Sequence, residues 1–524
     1  MAPVRNVLFI MCDQLRFDYL SCMGHPHLET PNIDRLAARG VVFPNAFCQS
    51  AVCGPSRMSF YTGRYVSSHG ATWNAVPLPV GEPTLGEYLR AAGLRVALAG
   101  KTHALPDADG MARLGIDPAS ETGRLLANAG FEPYDRHEGH VAPPPDSHYN
   151  RYLRDHGYGD GENPWENYAN AADADGGRVS GWWMRNAHLP ARVAAAHSET
   201  AYMTDRAMQF IEGQGAAPWL LHLSFIKPHW PYLAPAPYND MYGPNQCQPL
   251  NRRDDEKDKA HPVLRAYYDH DECRSFARDE VLNRVRPVYM GLIKEIDDNL
   301  GRLFDFLERS GRMDDTLIAF TSDHGDFLGD HWLGEKEIMF EEAVRIPMVV
   351  YDPDPSADAT RGTHDPRLVE SIDLVPTFLD AVGAPPRAHL IEGRSLLAAT
   401  RTADDHDWRD AVVSELDYAF REARRKLGRG PRDCRAWMLR TERWKYIRWD
   451  GFPDQLFDLE NDPGEFDDLG ADPGHEAVRA EMRLRLLDWH QGLKRRPAMP
   501  DDAVEPRTNS HRRRGIHIGI WDPE

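Results

Sequence analysis

The sequence has little cysteine, no long apolar run and no surplus of basic charge. Cysteine occurs seven times in 524 residues, at Cys12, Cys22, Cys48, Cys53, Cys247, Cys273 and Cys434, with no C-x-x-C pair. That spacing does not make a disulfide framework, and a reducing compartment is expected. The apolar stretch in the N-terminal MAPVRNVLFIMCDQ meets a charged residue after a few positions. It is too short to span a bilayer, and no small-residue cleavage site follows it. The expectation is therefore a cytoplasmic protein with no membrane association. Lys and Arg number 61 against 81 Asp and Glu, a net charge of −20. A nucleic-acid partner would call for a basic face, so none is expected. An anionic small molecule is still allowed, because a few local Lys and Arg can hold one inside an acidic protein.

What is present is ordinary for a folded chain: 41% hydrophobic and 27% charged residues, enough for one large domain and a smaller one. Continuous apolar runs over 6–11, 95–99, 219–225, 316–321 and 347–351 read as strands buried on both faces of a sheet. Helical patterns fall between them, over 30–37, 84–92, 198–212 and 281–307. The alternation predicts an α/β fold, a large mixed and mostly parallel sheet flanked by helices. The stretches 104–195 and 233–275 are rich in loop-forming and polar residues and read as long excursions over one face. After about residue 400 the pattern changes. Residues 436–440 and 444–449 alternate as antiparallel strands do, 456–459 offers a third, and 475–493 is a helix. The division expected is a catalytic domain over 1–400, a C-terminal α+β domain with an antiparallel sheet over 401–495, and an arm over 496–524. The arm's basic triplet and alternating isoleucines, from Arg512 to Trp521, predict packing on another copy, a homo-oligomer of two or four chains.

Four of the five strands end in polar clusters: Asp13-Gln14, Gly100-Lys101-Thr102-His103, Lys227-Pro228-His229 and Asp323-His324-Gly325. Ligands bind beyond the carboxyl ends of strands in open α/β sheets, so these clusters belong at one site. Asp13, Gln14, Asp323 and His324 are suited to a hard divalent cation, with Mn²⁺ admitted by the single imidazole. Arg57, Lys101, His103, Lys227, His229 and Lys336 form a cationic set. A metal ringed by cations specifies an oxyanion, sulfate or phosphate.

The stretch QSAVCGPSRMSFYTGRY carries Cys53-Gly54-Pro55-Ser56-Arg57 and then Thr62-Gly63-Arg64. It resembles the C-x-P-S-R and T-G-R signature of the sulfatase family, part of the alkaline phosphatase superfamily. The strand-end clusters, Lys336, and Glu341-Glu342-Ala343-Val344-Arg345-Ile346-Pro347 follow in that family's order, and the likeness runs from about residue 5 to about residue 490. The resemblance implies an alkaline phosphatase-like fold. It also implies that a formylglycine-generating enzyme converts Cys53 to Cα-formylglycine (3-oxoalanine), hydrated to a geminal diol that attacks sulfur. Asp13, Gln14, Asp323, His324 and the residue-53 oxygen would hold one divalent ion, usually Ca²⁺ in the family, with Mn²⁺ and Mg²⁺ as alternatives. Arg57 would support the nucleophile, and Lys101 and Lys336 would contact the sulfate oxygens. His229 would contact the ester and protonate the departing alcohol. His103 would take a proton from the second hydroxyl so that the covalent sulfo-enzyme expels sulfate by C–O collapse. Asn74 is a further candidate oxyanion contact.

One departure bears on substrate. Many sulfatases carry two adjacent Asp where this chain has Asp13-Gln14, a pair shared with the phosphonate monoester hydrolases. Those relatives tend to carry Tyr and Thr where this chain has Lys101 and His103. The expectation is a sulfate monoester hydrolase, promiscuous towards phosphonate and phosphate esters; the alternative is a phosphonate monoester or phosphodiester hydrolase on the same scaffold. Trp73, Trp182, Trp183, Trp230 and Tyr232 are candidates for the pocket wall.

Overall fold

The fold is seen in a computed structural model that describes residues 4–159, 163–402, 408–496, 498–517 and 521. The strand Asn6–Asp13 lies within an eight-stranded sheet, between the parallel strands Trp219–Pro228 and Thr316–Ser322. Its residues from Val7 to Cys12 are fully buried, as a strand covered on both faces requires. Alternation sends Val7, Phe9 and Met11 to one face, where they meet Phe60 and Phe378. It sends Leu8, Ile10 and Cys12 to the other, against Ile296 and Leu300 of the long helix Asp279–Arg309.

Beyond Trp219–Pro228 the sheet continues in parallel through Arg95–Gly100 to Glu132–Arg136. On the opposite side it continues through Met348–Tyr351, Val41–Val42 and Thr363–His364. Met348–Tyr351 runs antiparallel to both of its neighbours, which makes the sheet mixed. Met11 lies level with Ser224 and with Thr321, and Gly100 lies level with Ser224. Four strands therefore deliver their C-terminal residues to one edge of the sheet.

The excursion over 104–195 is more structured than its composition predicts. It contains the edge strand Glu132–Arg136 and the helices Ala108–Arg113, Glu121–Leu126, His148–Asp155 and Trp165–Ala169. The strand escapes the apolar-run criterion because Glu132, Pro133 and Arg136 are partly exposed on the last strand of the sheet, where polar residues and proline are tolerated. Residues 233–275 likewise hold the short helices Glu256–Lys259, Pro262–Tyr267 and Asp271–Phe276.

The C-terminal region forms an antiparallel sheet, Ala411–Asp417, Arg435–Thr441, Trp444–Trp449 and Gln455–Asp458, with Ala411–Asp417 as its unanticipated first strand. The helix Glu476–Gly492 packs on it through Met482 and Leu486 against Tyr446 and Leu456. In the tail, Trp521 is 94% exposed, and Ile518 and Ile520 lie outside the described residues. Among the described residues no helix is long and apolar enough to cross a membrane.

Candidate active site

The helix Cys53–Thr62 points its N-terminus at the carboxyl edge of the sheet, and all ten of its residues are buried. Its first turn is satisfied from outside: Gly54 N donates to Asn74 Oδ1 at 2.7 Å. A Cβ at Gly54 would lie 2.9 Å from Asn74 Cα, so only glycine lets this segment approach. Ser56 Oγ donates to the Asp323 carbonyl at 2.6 Å and ties the helix to the fourth strand end. The helix stops at Gly63, whose φ of 68° is left-handed. The T-G-R part of the signature is thus a helix terminator. Arg64, beyond it, reaches Glu82 at 2.6 Å rather than the site.

Arg57 is the hub. Its Nη2 lies 2.9 Å from Asp13 Oδ2 and its Nε 2.8 Å from Asp323 Oδ2, while Nη1 donates to the Lys101 carbonyl and to Ser224 Oγ, both at 2.8 Å. One buried guanidinium therefore spans the ends of four strands in a forked geometry that lysine cannot reproduce. Lys101 Nζ lies 2.6 Å from the same Asp13 oxygen. Burial and the neighbouring Cys53 sulfur push the Asp13 carboxyl up; Lys101, His229 and Arg57 outweigh them and hold it well below the usual range. Asp323 goes the other way, raised by burial and then by Asp13.

Cys53 Sγ lies 3.2 Å from His324 Nε2, 3.2 Å from Lys336 Nζ and 3.7 Å from Asp13 Oδ1. Burial opposes ionisation of this thiol, but Lys101, Lys336 and His324 together bring its pKa well below the ordinary value. The site is built to stabilise negative charge on the atom at position 53. The ligand atoms of Asp13, Cys53, Asp323 and His324 lie within 4.8 Å of one another. Two carboxylates and an imidazole so close, with an amide oxygen beside them, fit a hard divalent cation.

Gln14 supplies that amide. Its φ of 64° is unusual for a residue with a side chain. The conformation is held by its N–H on Asp323 Oδ1 at 3.0 Å and by Tyr289 OH on its carbonyl at 2.6 Å. Its Nε2 donates to Asp326 Oδ2 at 2.5 Å, which leaves Oε1 to accept from Lys336 Nζ at 2.8 Å. Asp326 therefore sets the amide's orientation. It escapes sequence reading although it stands three residues after Asp323; a buried amide that must present its oxygen needs an acceptor for its nitrogen, and that requirement is the signal that finds it.

Three imidazoles line the other side. The His140 ring stacks on His103 with centroids 5.3 Å apart and lies 5.7 Å from that of His229. His229 Nδ1 sits 3.0 Å from the Trp230 carbonyl, and Nε2 is 3.9 Å from Asp13 Oδ1. Burial first and Lys336 second lower His229 to about 3. His140, which no motif singles out, is lowered to about 4 by burial and by Lys101. Glu138 carries the turn at 102–103, accepting from His103 N at 3.1 Å and from Thr102 Oγ1 at 3.3 Å.

Two expectations need revision. Lys227, grouped with the oxyanion-facing cations, is turned away. Its pairing strand shifts register between Cys12 and Asp13, and its Nζ donates to the Pro231 carbonyl at 2.5 Å and lies 5.4 Å from the Tyr168 ring centroid. Tyr232, a candidate wall residue, is 1% exposed and bonded to Asp326 beneath Gln14. Asn74 reaches the site through the Gly54 N–H.

Comparison with known proteins places this geometry. The sulfatase family model matches residues 5–384, and a model of the N-sulphoglucosamine sulphohydrolase C-terminal region matches residues 329–492. The multifunctional alkaline phosphatase superfamily protein PehA of Trinickia caryophylli is 33% identical over 93% of this chain and 95% of its own. A choline-sulfatase of Rhizobium meliloti is 28% identical over 92% of this chain and 86% of its own. Among solved structures, the phosphonate monoester hydrolase SpPMH of Silicibacter pomeroyi superposes with a TM-score of 0.81 at 30% identity, over 93% of this chain and 95% of its own. The phosphonate monoester hydrolase of Agrobacterium radiobacter does so with a TM-score of 0.81 at 31% identity, over the same shares. With the family model covering most of the sheet and a relative one-third identical along nearly the whole chain, this protein belongs to the sulfatase family and is a hydrolase.

Proposed function

We propose that the chain hydrolyses monoanionic tetrahedral esters, sulfate monoesters first, through a formylglycine made from Cys53 by a formylglycine-generating enzyme. The observation that carries this reading is the buried cationic ring of Lys101, Lys336 and Arg57 around position 53, at the N-terminus of a fully buried helix. Asp13, Gln14, Asp323, His324 and the position-53 oxygen would hold one divalent cation, Ca²⁺ by family habit. That cation supplies Lewis acidity at the nucleophile, and the hydrated aldehyde supplies a second hydroxyl through which the ester group is released. Lys101 and Lys336 bind the non-bridging oxygens. Arg57 fixes the two carboxylates against each other. His229 faces the departing alcohol, and His103 accepts a proton from the residue-53 hydroxyl.

A second reading, phosphonate monoester hydrolysis, is favoured by the Asp13-Gln14 pair and by the two structural neighbours with that activity in their names. The experiment compares kcat/KM for an aryl sulfate and an aryl phosphonate monoester with the same leaving group, on enzyme whose formylglycine content has been measured. Preference for sulfate supports the first reading; preference for phosphonate supports the second.

Two substitutions bear on the roles. His229→Ala lowers kcat/KM by about 10²–10⁴-fold for poor leaving groups and far less for good ones, because a proton donor matters most when the departing oxygen is basic. An equal loss across a leaving-group series removes that role. Asp326→Asn frees the Gln14 amide to turn its nitrogen inward, and weakens divalent-cation binding by about 10–100-fold. Calorimetric titration of the metal-free protein checks this; unchanged affinity means that Gln14 is not a ligand.

A further inference from the structure

A pocket of about 520 Å³ opens beside the candidate nucleophile, and His140 and His229 form part of its wall. If His229 faces the departing oxygen, as the proposed function has it, the alcohol leaves into this space. Its chemistry is lopsided. One wall is aromatic, made of Trp182, Trp183 and Trp230, with Trp182 and Trp183 exposed at 41% and 62%. Two indoles left in water at the mouth of a site are unusual for packing residues and suit a flat ligand. The lining also carries Asp271, Glu272 and Glu335.

The cations beside these carboxylates are already engaged and leave little positive charge for an anionic ligand. Arg421 also lines the pocket, but it is ion-paired with Glu272, its Nε lies 3.0 Å from Glu337 Oε2, and its Nη2 lies 3.0 Å from His270 Nδ1. Arg185 sits over Trp183, 5.8 Å from the ring centroid. Asp271 is fully exposed, with Arg274 4.0 Å away. Glu335 lies 3.6 Å from Lys336, whose Nζ is already donated to Gln14 and Cys53. An added anionic group on the alcohol would meet several carboxylates and no unpaired guanidinium among the described lining residues. We propose that this pocket holds the departing alcohol and selects a flat aromatic one without negative charge, so that esters of polyanionic saccharides are turned away at Asp271, Glu272 and Glu335.

The test uses full-length enzyme and aryl esters matched in leaving-group acidity, bearing a neutral, a trimethylammonium or a carboxylate substituent, each as sulfate and as phosphonate monoester. The neutral and cationic esters are expected to exceed the carboxylated one by about tenfold or more in kcat/KM, with the gap narrowing as salt rises. Asp271→Asn narrows it too, and Glu272→Gln narrows it further by leaving Arg421 to Glu337 alone. Trp183→Ala raises KM for the aryl esters and leaves that of a small alkyl ester unchanged. Equal or better turnover of the carboxylated ester, or a Trp183→Ala effect of the same size on alkyl and aryl esters, overturns the proposal. If neither ester class is turned over, the proposed function fails by itself. The pocket is then judged by binding of the free phenols, where the neutral one must bind more tightly than the carboxylated one.

Discussion

Cys53→Ala abolishes turnover while the protein still folds. The side chain is small and lies at a helix start with its sulfur among Asp13, His324 and Lys336, so the methyl group of alanine fits the same space. Everything else that the site would use remains, including Arg57 between its two carboxylates. Removing a nucleophile that acts as one unit with its neighbours costs on the order of 10⁶ in kcat. The measurement is steady-state hydrolysis of an activated aryl ester, with a thermal melt of the same sample. Activity within tenfold of the parent, with an unchanged melt, rules Cys53 out as the nucleophile. Mass spectrometry of the peptide containing position 53, in the parent protein, asks the companion question of whether the thiol has been oxidised.

The second large effect falls on stability. Arg57→Leu leaves Asp13 and Asp323 buried without their shared guanidinium, and both are fully shielded from water. Breaking a buried pair from one side costs about 3–5 kcal/mol, because the remaining charge keeps its desolvation penalty. Lys101 partly covers Asp13, so Asp323 carries most of the loss. The direction under pH follows from Asp323, whose carboxyl is raised in the folded state by burial and by Asp13. A raised carboxyl favours the protonated form, so the Arg57→Leu protein regains stability as pH falls through the Asp323 range, opposite to an ordinary acid-destabilised mutant. A divalent cation at a hundred times its Kd stabilises whichever protein binds it by about 2.7 kcal/mol. Denaturant melts with and without chelator check these outcomes. A substitution that costs less than about 1 kcal/mol in the metal-free protein contradicts the account of Arg57 as the hub.

Several of these residues are legible in the amino-acid sequence itself. Parallel strands buried on both faces read as bare apolar runs, and the polar residue that closes each run stands out, as Asp13, Lys101 and Asp323 do. Their meeting follows from the strand-end rule, and the register of Met11, Ser224 and Thr321 is its physical basis. What the sequence does not carry is direction within a cluster. Lys227 and His229 are two residues apart, yet a register shift sends one Nζ behind the sheet edge and the other ring into the site. Nor does it carry partners that work through another side chain. Asp326 and Glu138 act by fixing Gln14 and the turn at His103, contacts made across 312 and 35 positions of chain. The strand Glu132–Arg136 is hidden for a different reason, since an edge position relaxes the apolar rule that reveals central strands.

The burial of the helix Cys53–Thr62 sets an order of events in the life of the chain. Cys53 is 1% exposed, and its surroundings come from strand ends as far apart in sequence as Asp13 and Asp323. The pocket closes only when those distant segments have come together. Under the proposed function, an enzyme that oxidises Cys53 would therefore have to meet it as extended chain, and folding would be the deadline for that maturation. A molecule that folded first would be sealed with its thiol unchanged. The fraction of converted protein would then report a race between two rates, and slowing the closure of the sheet would raise it.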